Sequence, residues 1–380
     1  MISIEILCDS FYPEEKAVGI RLFHLANALK NNDFHVTVNS CTKNPHGNFK
    51  HRKNFFGAPS NKSHALVRLF QELLLAIEFF FKIVFSKSDI FLLSSPPFLP
   101  MVFGAIASKL KAKKYIVDVR DEYPEVYFVS GLVKENSWIG SLLSRIEKLI
   151  YRHSFLTITV TDNIVKKIIT KSEHGKNKVL LVRNGFDEQV FKTSPVKEQN
   201  FTIVFHGNIG KFQKPTLLIN LAKRALEEKQ NIEFVVIGWG NNESSLLESN
   251  LTNLKFLGKK SHEVIPEIIN KFHVGISVRT DDEISKNSFP VKIYEYLGVG
   301  IPVIVTPISE AGYFITNNKL GHQFTGYDEN EIFDFILKLK NDSHFYQSLV
   351  NNILQSRLNF SRQKISNDLA LQLKKDLTDA

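Results

Sequence analysis

Short apolar runs along the chain alternate with longer stretches in which apolar residues recur every three or four positions. The first kind reads as buried strands and the second as amphipathic helices. Ser3–Asp9 predicts a strand, and Ile20–Lys30 a helix with Leu22, Leu25, Ala26 and Leu29 on one face. Further strands are predicted at Phe34–Asn39, Asp89–Ser94, Lys114–Asp118, Phe155–Val160 and Val179–Val182. The helices between them fall at Leu66–Phe85, Leu99–Lys111, Ile139–Arg152 and Asn163–Thr170. Ser194–Asn200 is polar, contains Pro195 and reads as a linker, after which the alternation restarts. Phe201–Phe205, Ile232–Ile237, Leu254–Leu257, Val274–Val278 and Pro302–Val305 predict strands, with helices at Pro215–Glu228, His262–Asn270 and Val291–Leu297. Helices dominate from Glu329 to Lys375. Strands separated by helices form parallel βαβ units covered on both faces. The chain therefore predicts two doubly wound α/β domains joined near residues 193–200. Ligands of such sheets lie at the carboxyl ends of strands, and the cleft between two such domains is the default site.

Composition narrows this picture. A length of 380 residues suits two or three domains. The 43% apolar and 23% charged content is ordinary for a globular chain and excludes disorder. Net charge is +9, which fits nucleic acid, an anionic membrane, phosphorylated small molecules or a merely solvated surface. Cys8 and Cys41 are the only cysteines, so no disulfide framework exists and a reducing compartment is expected. Met1–Asp9 lacks a basic leader region and is interrupted by Glu5, so it reads as a strand and not as a signal peptide.

The 31 Phe residues are in excess, and several fall in Leu66–Phe85. Arg68, Glu72, Glu78 and Lys82 argue against a membrane-spanning helix there. On a helix, these four and Gln71 form one narrow strip. The remaining face, with Phe70, Phe79, Phe80, Phe81 and Phe85, is broad and apolar. It suits either burial against a sheet and a neighbouring helix or contact with a bilayer surface. The basic stretch Lys50, His51, Arg52 and Lys53 just before it suits the latter.

Five segments carry candidate chemistry. Ser10–Gly19 follows the first strand and ends in a glycine before a helix that holds Arg21, a place that favours anions. Asp118-Val-Arg-Asp121 sets three charges at a strand mouth. Arg120 could hold a phosphate or an acidic sugar and Asp121 could orient a hydroxyl, or the charges could form an internal network. Val182–Phe191 contains the turn Asn184-Gly185. Phe205–Pro215 opens a strand into a loop where Gly207 and Gly210 allow backbone amides to face a phosphate that Lys211 or Lys214 can neutralise. Asn287–Ile304 contains a short helix with Lys292 on its first turn and Glu295 one turn further, suited to a ribose diol. No dinucleotide fingerprint, P-loop, zinc-protease motif, hydrolase elbow or D-x-D pair is present.

In this order the segments resemble glycosyltransferase family 4, in its bacterial surface-polysaccharide subgroup. Phe11-Tyr12-Pro13 through Gly19 and Arg21 resembles the family's acceptor-side loop, and Asp118-Val-Arg-Asp121 its D-x-R-D segment. Arg183-Asn-Gly-Phe-Asp187 with Phe191 is similar to N-G-x-D-x-x-x-F, and Gly207-Asn208-Ile-Gly210 to the G-N-x-G loop. Gly238-Trp-Gly240 resembles the G-x-G strand end. Phe289-Pro290-Val-Lys292-Ile-Tyr-Glu295 through Val303 resembles the P-x-K-x-x-E-Y-x-x-x-G-x-P-V core. Asn287 stands where the family's first acid would be.

The resemblance implies a GT-B fold, two Rossmann-like doubly wound parallel-sheet domains facing a cleft. Residues 1–193 with 361–380 would form the acceptor-side domain, because the family's last helix crosses back, and 200–360 the nucleotide-sugar domain. It implies a retaining transferase without metal or other cofactor. Its partners would be a nucleotide sugar, a lipid-linked saccharide acceptor and an anionic membrane surface, not nucleic acid. The place of action would be the cytoplasmic face of the plasma membrane. Arg120, Asp121, Lys214 and Glu295 would serve catalysis. Gly207, Asn208, Gly210, Lys211, Gly238, Asn287, Pro290 and Lys292 would hold the donor, and Gly19, Arg21 and Asp118 the acceptor side. Of the two lysines after the glycine loop, Lys214 has the better spacing for the diphosphate. A nucleotide-sugar 2-epimerase of the same fold would need a carboxylate–histidine dyad, which the motifs do not supply. A non-catalytic sugar-nucleotide-binding protein is the third reading, motivated by Asn287.

Overall fold

The computed structural model describes residues 1–14, 16–60, 64–129, 131–172 and 179–378. Glu15 of the first candidate loop and the last two residues of the expected 361–380 segment lie outside the described residues. The chain forms two units, Met1–Arg183 with Ile365–Ala380, and Asn184–Lys364.

The first unit is built on β1 (Ser3–Leu7), β2 (His35–Ser40), β3 (Lys50–Lys53), β4 (Ile90–Ser95), β5 (Lys114–Val119), β6 (Leu156–Thr159) and β7 (Val179–Leu181). They lie in the order β3-β2-β1-β4-β5-β6-β7, all parallel. The second contains β8 (Phe201–Asn208), β9 (Ile232–Trp239), β10 (Leu254–Phe256), β11 (Val274–Val278), β12 (Val303–Thr306) and β13 (Gly321–Gln323). Their order is β10-β9-β8-β11-β12-β13, again parallel. Helices on both faces explain why a strand such as Ile90–Ser95 is buried at every position. Strand order reverses between β1 and β4, and between β8 and β11, so each sheet has one switch point.

The boundary between the units falls earlier than the expected 193. Phe186 and Phe191 are fully buried in an apolar cluster of the second unit with Tyr294 and Leu297. Backbone bonds from Phe186 N to Phe360 O (3.0 Å) and from Arg362 N to Phe186 O (2.8 Å) tie residues 184–191 to that unit. Ser194–Asn200 forms neither helix nor strand. The helix Arg362–Thr378 returns to the first unit, where Leu369, Ala370 and Leu373 join the core and Lys374 meets Asp33 at 2.8 Å.

Two local outcomes differ from the sequence pattern. The basic stretch Lys50–Lys53 is an edge strand paired to β2, and its Arg52 meets the buried Glu5 at 3.2 Å. It has no apolar alternation to reveal it, and its charges guard the sheet edge. The second is the Phe-rich helix, Ala65–Phe85. Its polar strip faces inward. Glu72 is buried, accepts from Tyr127 Oη at 2.7 Å and pairs with Arg68 at 3.3 Å. Glu78 accepts from the amides of Phe55 and Phe56 at 2.7 and 2.9 Å, and Lys82 donates to Asn54 Oδ1 at 2.6 Å. The apolar face is split. Leu75, Ala76, Phe79 and Ile83 are buried, whereas Leu66, Phe70, Phe81 and Phe85 are exposed, with Phe85 at 80% and neighbouring Phe55 at 88%. Among the described residues no helix is long and apolar enough to cross a membrane.

Candidate active site

In the second unit, the ends of β8 and β11 define the switch point, where open α/β sheets take their ligands. β8 ends in Gly207 and Asn208. Gly207 has φ +112°, which favours glycine, and Gly238 lies opposite it in β9. A Cβ on Gly238 would overlap the Gly207 carbonyl, so both glycines serve the close approach of two strand ends. The following loop is fixed by Ile209 N to Trp239 O (2.7 Å), Gln213 N to Gly210 O (3.0 Å) and Asn242 Nδ2 to Gly210 O (3.2 Å). Gly210 packs on Asn208, since a Cβ there would stand 3.1 Å from Asn208 Oδ1. The helix Pro215–Glu227 then begins with Lys214 as its N-cap residue.

Cations gather around this mouth. Lys214 Nζ lies 3.5 Å from the centre of the Tyr327 ring, and the exposed Lys211 lies 4.8 Å from that of Phe212. Lys292 stands on the first turn of the helix Val291–Gly298, whose N-cap residue is Pro290. Its Nζ rests 3.6 Å from the Phe205 ring centre and is buried without a hydrogen-bond partner. Burial, and then the charge of Arg279, push its pKa well below the usual lysine value. Arg279 follows β11 directly, and its Nε is likewise buried and unpartnered.

Glu295 is buried one turn beyond Lys292. Its Oε1 lies 3.2 Å from His262 Nε2 and its Oε2 3.3 Å from His206 Nε2. Burial alone would raise its pKa, but the His262 hydrogen bond and the two histidines outweigh this and bring it to about 2. Burial lowers His206 to about 4. The cluster is therefore an ionised carboxylate beneath a neutral histidine at pH 7. Asn287 ends the short helix Glu283–Asn287 and is half-buried.

The first unit has its own strand mouth. Asp118 in β5 is fully buried, with Arg21 Nη2 at 3.0 Å and Nε at 3.2 Å from Oδ1. Arg21 Nη1 also donates to the carbonyls of Val182 (2.8 Å) and Arg183 (3.2 Å). This pair locks the first helix to β5 and to the chain leaving β7. Gly19 is packed so closely that a Cβ would stand 2.9 Å from the Phe11 carbonyl carbon. Arg120 donates to Pro96 O at 2.7 Å and to Ser94 Oγ at 3.3 Å, and Asp121 is exposed beside it.

Of the second-unit residues singled out by motif, Gly207 meets Gly238 and Lys292, Gly210 meets Asn208, and Glu295 lies against His206, the neighbour of Gly207; Lys211 and Lys214 follow in the loop and at the helix start, and Asn287 stands on the short helix that precedes Pro290. In the first unit Gly19, Arg21 and Asp118 are internal, while Arg120 and Asp121 stand at the exit of β5. Sequence reasoning missed His206, His262 and Arg279. His206 precedes the glycine loop and Arg279 ends a strand, so the rule that ligands gather at strand ends pointed to both. His262 had no such signal.

These two parallel-sheet α/β units give the chain the GT-B fold, and it aligns along its length with solved proteins of that architecture. Anabaena HepE, in complex with UDP and glucose, aligns over 99% of this chain and 100% of its own with a TM-score of 0.69 and 16% identity. Sucrose-phosphate synthase of Thermosynechococcus elongatus aligns over 100% of both chains, with a TM-score of 0.72 and 13% identity. A protein described as a UDP-N-acetylglucosamine 2-epimerase from Listeria monocytogenes aligns over 100% of this chain and 97% of its own, with a TM-score of 0.66 and 11% identity. More particularly, residues 186–356 match the family described as glycosyl transferases group 1. TuaH of Bacillus subtilis, named as a teichuronic acid biosynthesis glycosyltransferase, is 26% identical over 170 residues, 42% of each chain. That match spans less than half of the Bacillus protein. The expected resemblance to GT-B sugar transferases is met by these matches.

Proposed function

We propose that the protein transfers a sugar from a nucleotide-sugar donor to a saccharide acceptor during assembly of a surface polysaccharide, with retention of anomeric configuration. The observation that carries this reading is the second unit's switch point. There a glycine-lined strand end, a helix N-terminus, several lysines and an ionised Glu295 converge. The family match over residues 186–356 and the similarity to TuaH support it.

Breaking a sugar–phosphate bond leaves charge on the departing diphosphate. Backbone amides after Gly207, the N-terminus of Pro215–Glu227 and Lys214 are placed to stabilise that charge. Glu295, oriented by its hydrogen bond with His262, accepts hydrogen bonds from the ribose diol and so aims the diphosphate. Arg120 and Asp121 are assigned to the acceptor. No protein base and no metal is required, because the leaving phosphate can take the acceptor's proton. An epimerase would use an acid–base pair that titrates near neutrality, and neither Glu295 nor His206 does.

The acceptor is read as polyprenyl-linked, waiting at the cytoplasmic face of an anionic membrane. The exposed Phe70, Phe81 and Phe85 with the nearby basic strand Lys50–Lys53 support this, as an apolar face flanked by positive charge suits such a surface.

The test incubates the protein with radiolabelled nucleotide sugars and membrane extract. Label should pass into a lipid-extractable product, and Glu295→Ala and Lys214→Ala should cut the rate strongly with the fold intact. Conversion of the donor to an epimer without acceptor, or tight binding with no turnover, would overturn the reading.

A further inference from the structure

Two cationic side chains at the second unit's switch point each have a buried nitrogen without a hydrogen-bond partner, Arg279 Nε and Lys292 Nζ. β11 pairs with β8 with Gly275 opposite Val204. Beyond that pairing, Arg279 bridges to Gln213 of the glycine loop, and Thr280 N donates to Phe212 O at 3.1 Å. Lys292 reaches the same place from the helix Val291–Gly298, with its Nζ 3.5 Å from where a Gly207 Cβ would stand. Arg279 and Lys292 are close enough for the charge of one to act on the other.

Asp282 acts on Arg279 and Glu295 on Lys292, but no carboxylate bonds to Arg279 Nε or Lys292 Nζ. Asp282 is the acid that acts on Arg279, but its oxygens are engaged by Ser285 N (2.9 Å), Ser285 Oγ (3.0 Å) and Thr280 Oγ1 (2.5 Å). Glu295 is turned to His262 and His206. Lys211 and Lys214 also rest on ring faces, as Lys292 does on Phe205, but in the loop and at the helix start. A buried charge without a partner is costly, and two of like sign side by side cost more. Such a pair at a ligand-binding switch point is explained by a ligand that brings the missing negative charge.

We propose that Arg279 and Lys292 form a preorganised receptor for an oxyanion beside Gly207. This rests on the sugar-nucleotide reading above and adds these two residues to Lys214 as the cations that meet the anionic group of the donor. The oxyanion is either the sugar-proximal phosphate of the diphosphate or the carboxylate of an acidic donor sugar. Arg279 Nε–H and the Lys292 ammonium donate to it, and the Phe205 ring closes the opposite side of Lys292. The groups facing Lys292 are Arg279, Glu295 and His206.

The test is calorimetric titration of the full chain with inorganic pyrophosphate, UDP, UDP-glucose and UDP-glucuronate. Wild-type protein, Arg279→Gln, Lys292→Met, the charge-preserving Arg279→Lys and an exposed control, Lys229→Gln, are compared. Loss of a buried charged contact should weaken anion binding by about thirtyfold or more. Arg279→Lys should recover part of that loss, and the control should bind as wild type. Equal losses for pyrophosphate, UDP and both sugar nucleotides assign the receptor to phosphate. A loss confined to UDP-glucuronate assigns it to the sugar carboxylate. Wild-type affinity in both Arg279→Gln and Lys292→Met, or no binding of any of the four by wild type, overturns the proposal. Anion binding that depends on these residues, without transfer from any nucleotide sugar, would keep the receptor and overturn the transferase reading.

Discussion

The two strand mouths treat buried charge in opposite ways. At the end of β5, Arg21 and Asp118 satisfy each other, and the spare donor of Arg21 goes to backbone carbonyls. At the end of β11, Arg279 and Lys292 repel each other and bond to nothing through Nε or Nζ. Both pairs look alike as charged residues at strand ends. The difference teaches that partnering, more than position, separates charges that build a fold from charges kept for a ligand. A similar contrast holds within the first unit, where the polar strip of the Phe-rich helix is consumed internally while Leu66, Phe70, Phe81 and Phe85 are left outside.

The largest expected effect comes from breaking the satisfied pair. Arg21→Met leaves the buried Asp118 with only the 3.4 Å bond from Ser94 Oγ and Arg120 Nε at 4.0 Å, which should cost about 3 kcal/mol of stability. Thermal or denaturant unfolding measures this, and a change within the error of the measurement would remove the pair's structural role. Breaking the unsatisfied pair should do the reverse. Lys292→Met should leave the ligand-free protein as stable as wild type or up to about 2 kcal/mol more so, because it replaces an unpaired charge with an apolar group. Melting curves without ligand distinguish the two sites directly, and a large destabilisation would contradict the comparison.

A third prediction concerns pH. Glu295 has a folded-state pKa of about 2 against an ordinary 4.5, so its contribution to stability is complete above 4.5 and is lost as pH falls towards 2. His206 titrates near 4 in the folded chain against an ordinary 6.5. The unfolded chain then binds the extra proton first, and stability declines as pH drops from 6.5 to 4. His206→Gln should flatten that upper part of the profile, and urea midpoints from pH 7 to 4 would show it. An unchanged slope would mean that His206 does not carry the decline.

The smallest effect on stability is expected at the outer face of the Phe-rich helix. Changing Phe70, Phe81 and Phe85 to Ser should alter stability by only about 0.5 kcal/mol or less per site. It should nevertheless reduce sedimentation with anionic liposomes at low salt. Equal sedimentation of wild type and variant would return this face to an ordinary exposed surface.

The sheets were legible in the sequence because buried parallel strands are continuous apolar runs, as in Ile90–Ser95 and Val274–Val278. The strand Lys50–Lys53 was not, since all of its side chains are polar and its pairing is decided by β2. The Phe-rich helix was legible as a helix, but which side faces inward depends on Tyr127, Asn54 and the amides of residues 55 and 56, which are distant partners that periodicity does not contain. Motif spacing brought Gly207, Lys214, Lys292 and Glu295 into view. Arg21 and Asp118 are 97 positions apart, so their mutual pairing, like the approach of His262 to Glu295, arises only in three dimensions.

One measurement tests the central claim most directly, a crystal structure of the protein with UDP bound. The account predicts diphosphate oxygens at about 3 Å from both Arg279 Nε and Lys292 Nζ, beside Gly207, with the ribose against Glu295. A bound diphosphate that leaves Arg279 Nε without a partner and Lys292 unpaired over Phe205 would contradict it.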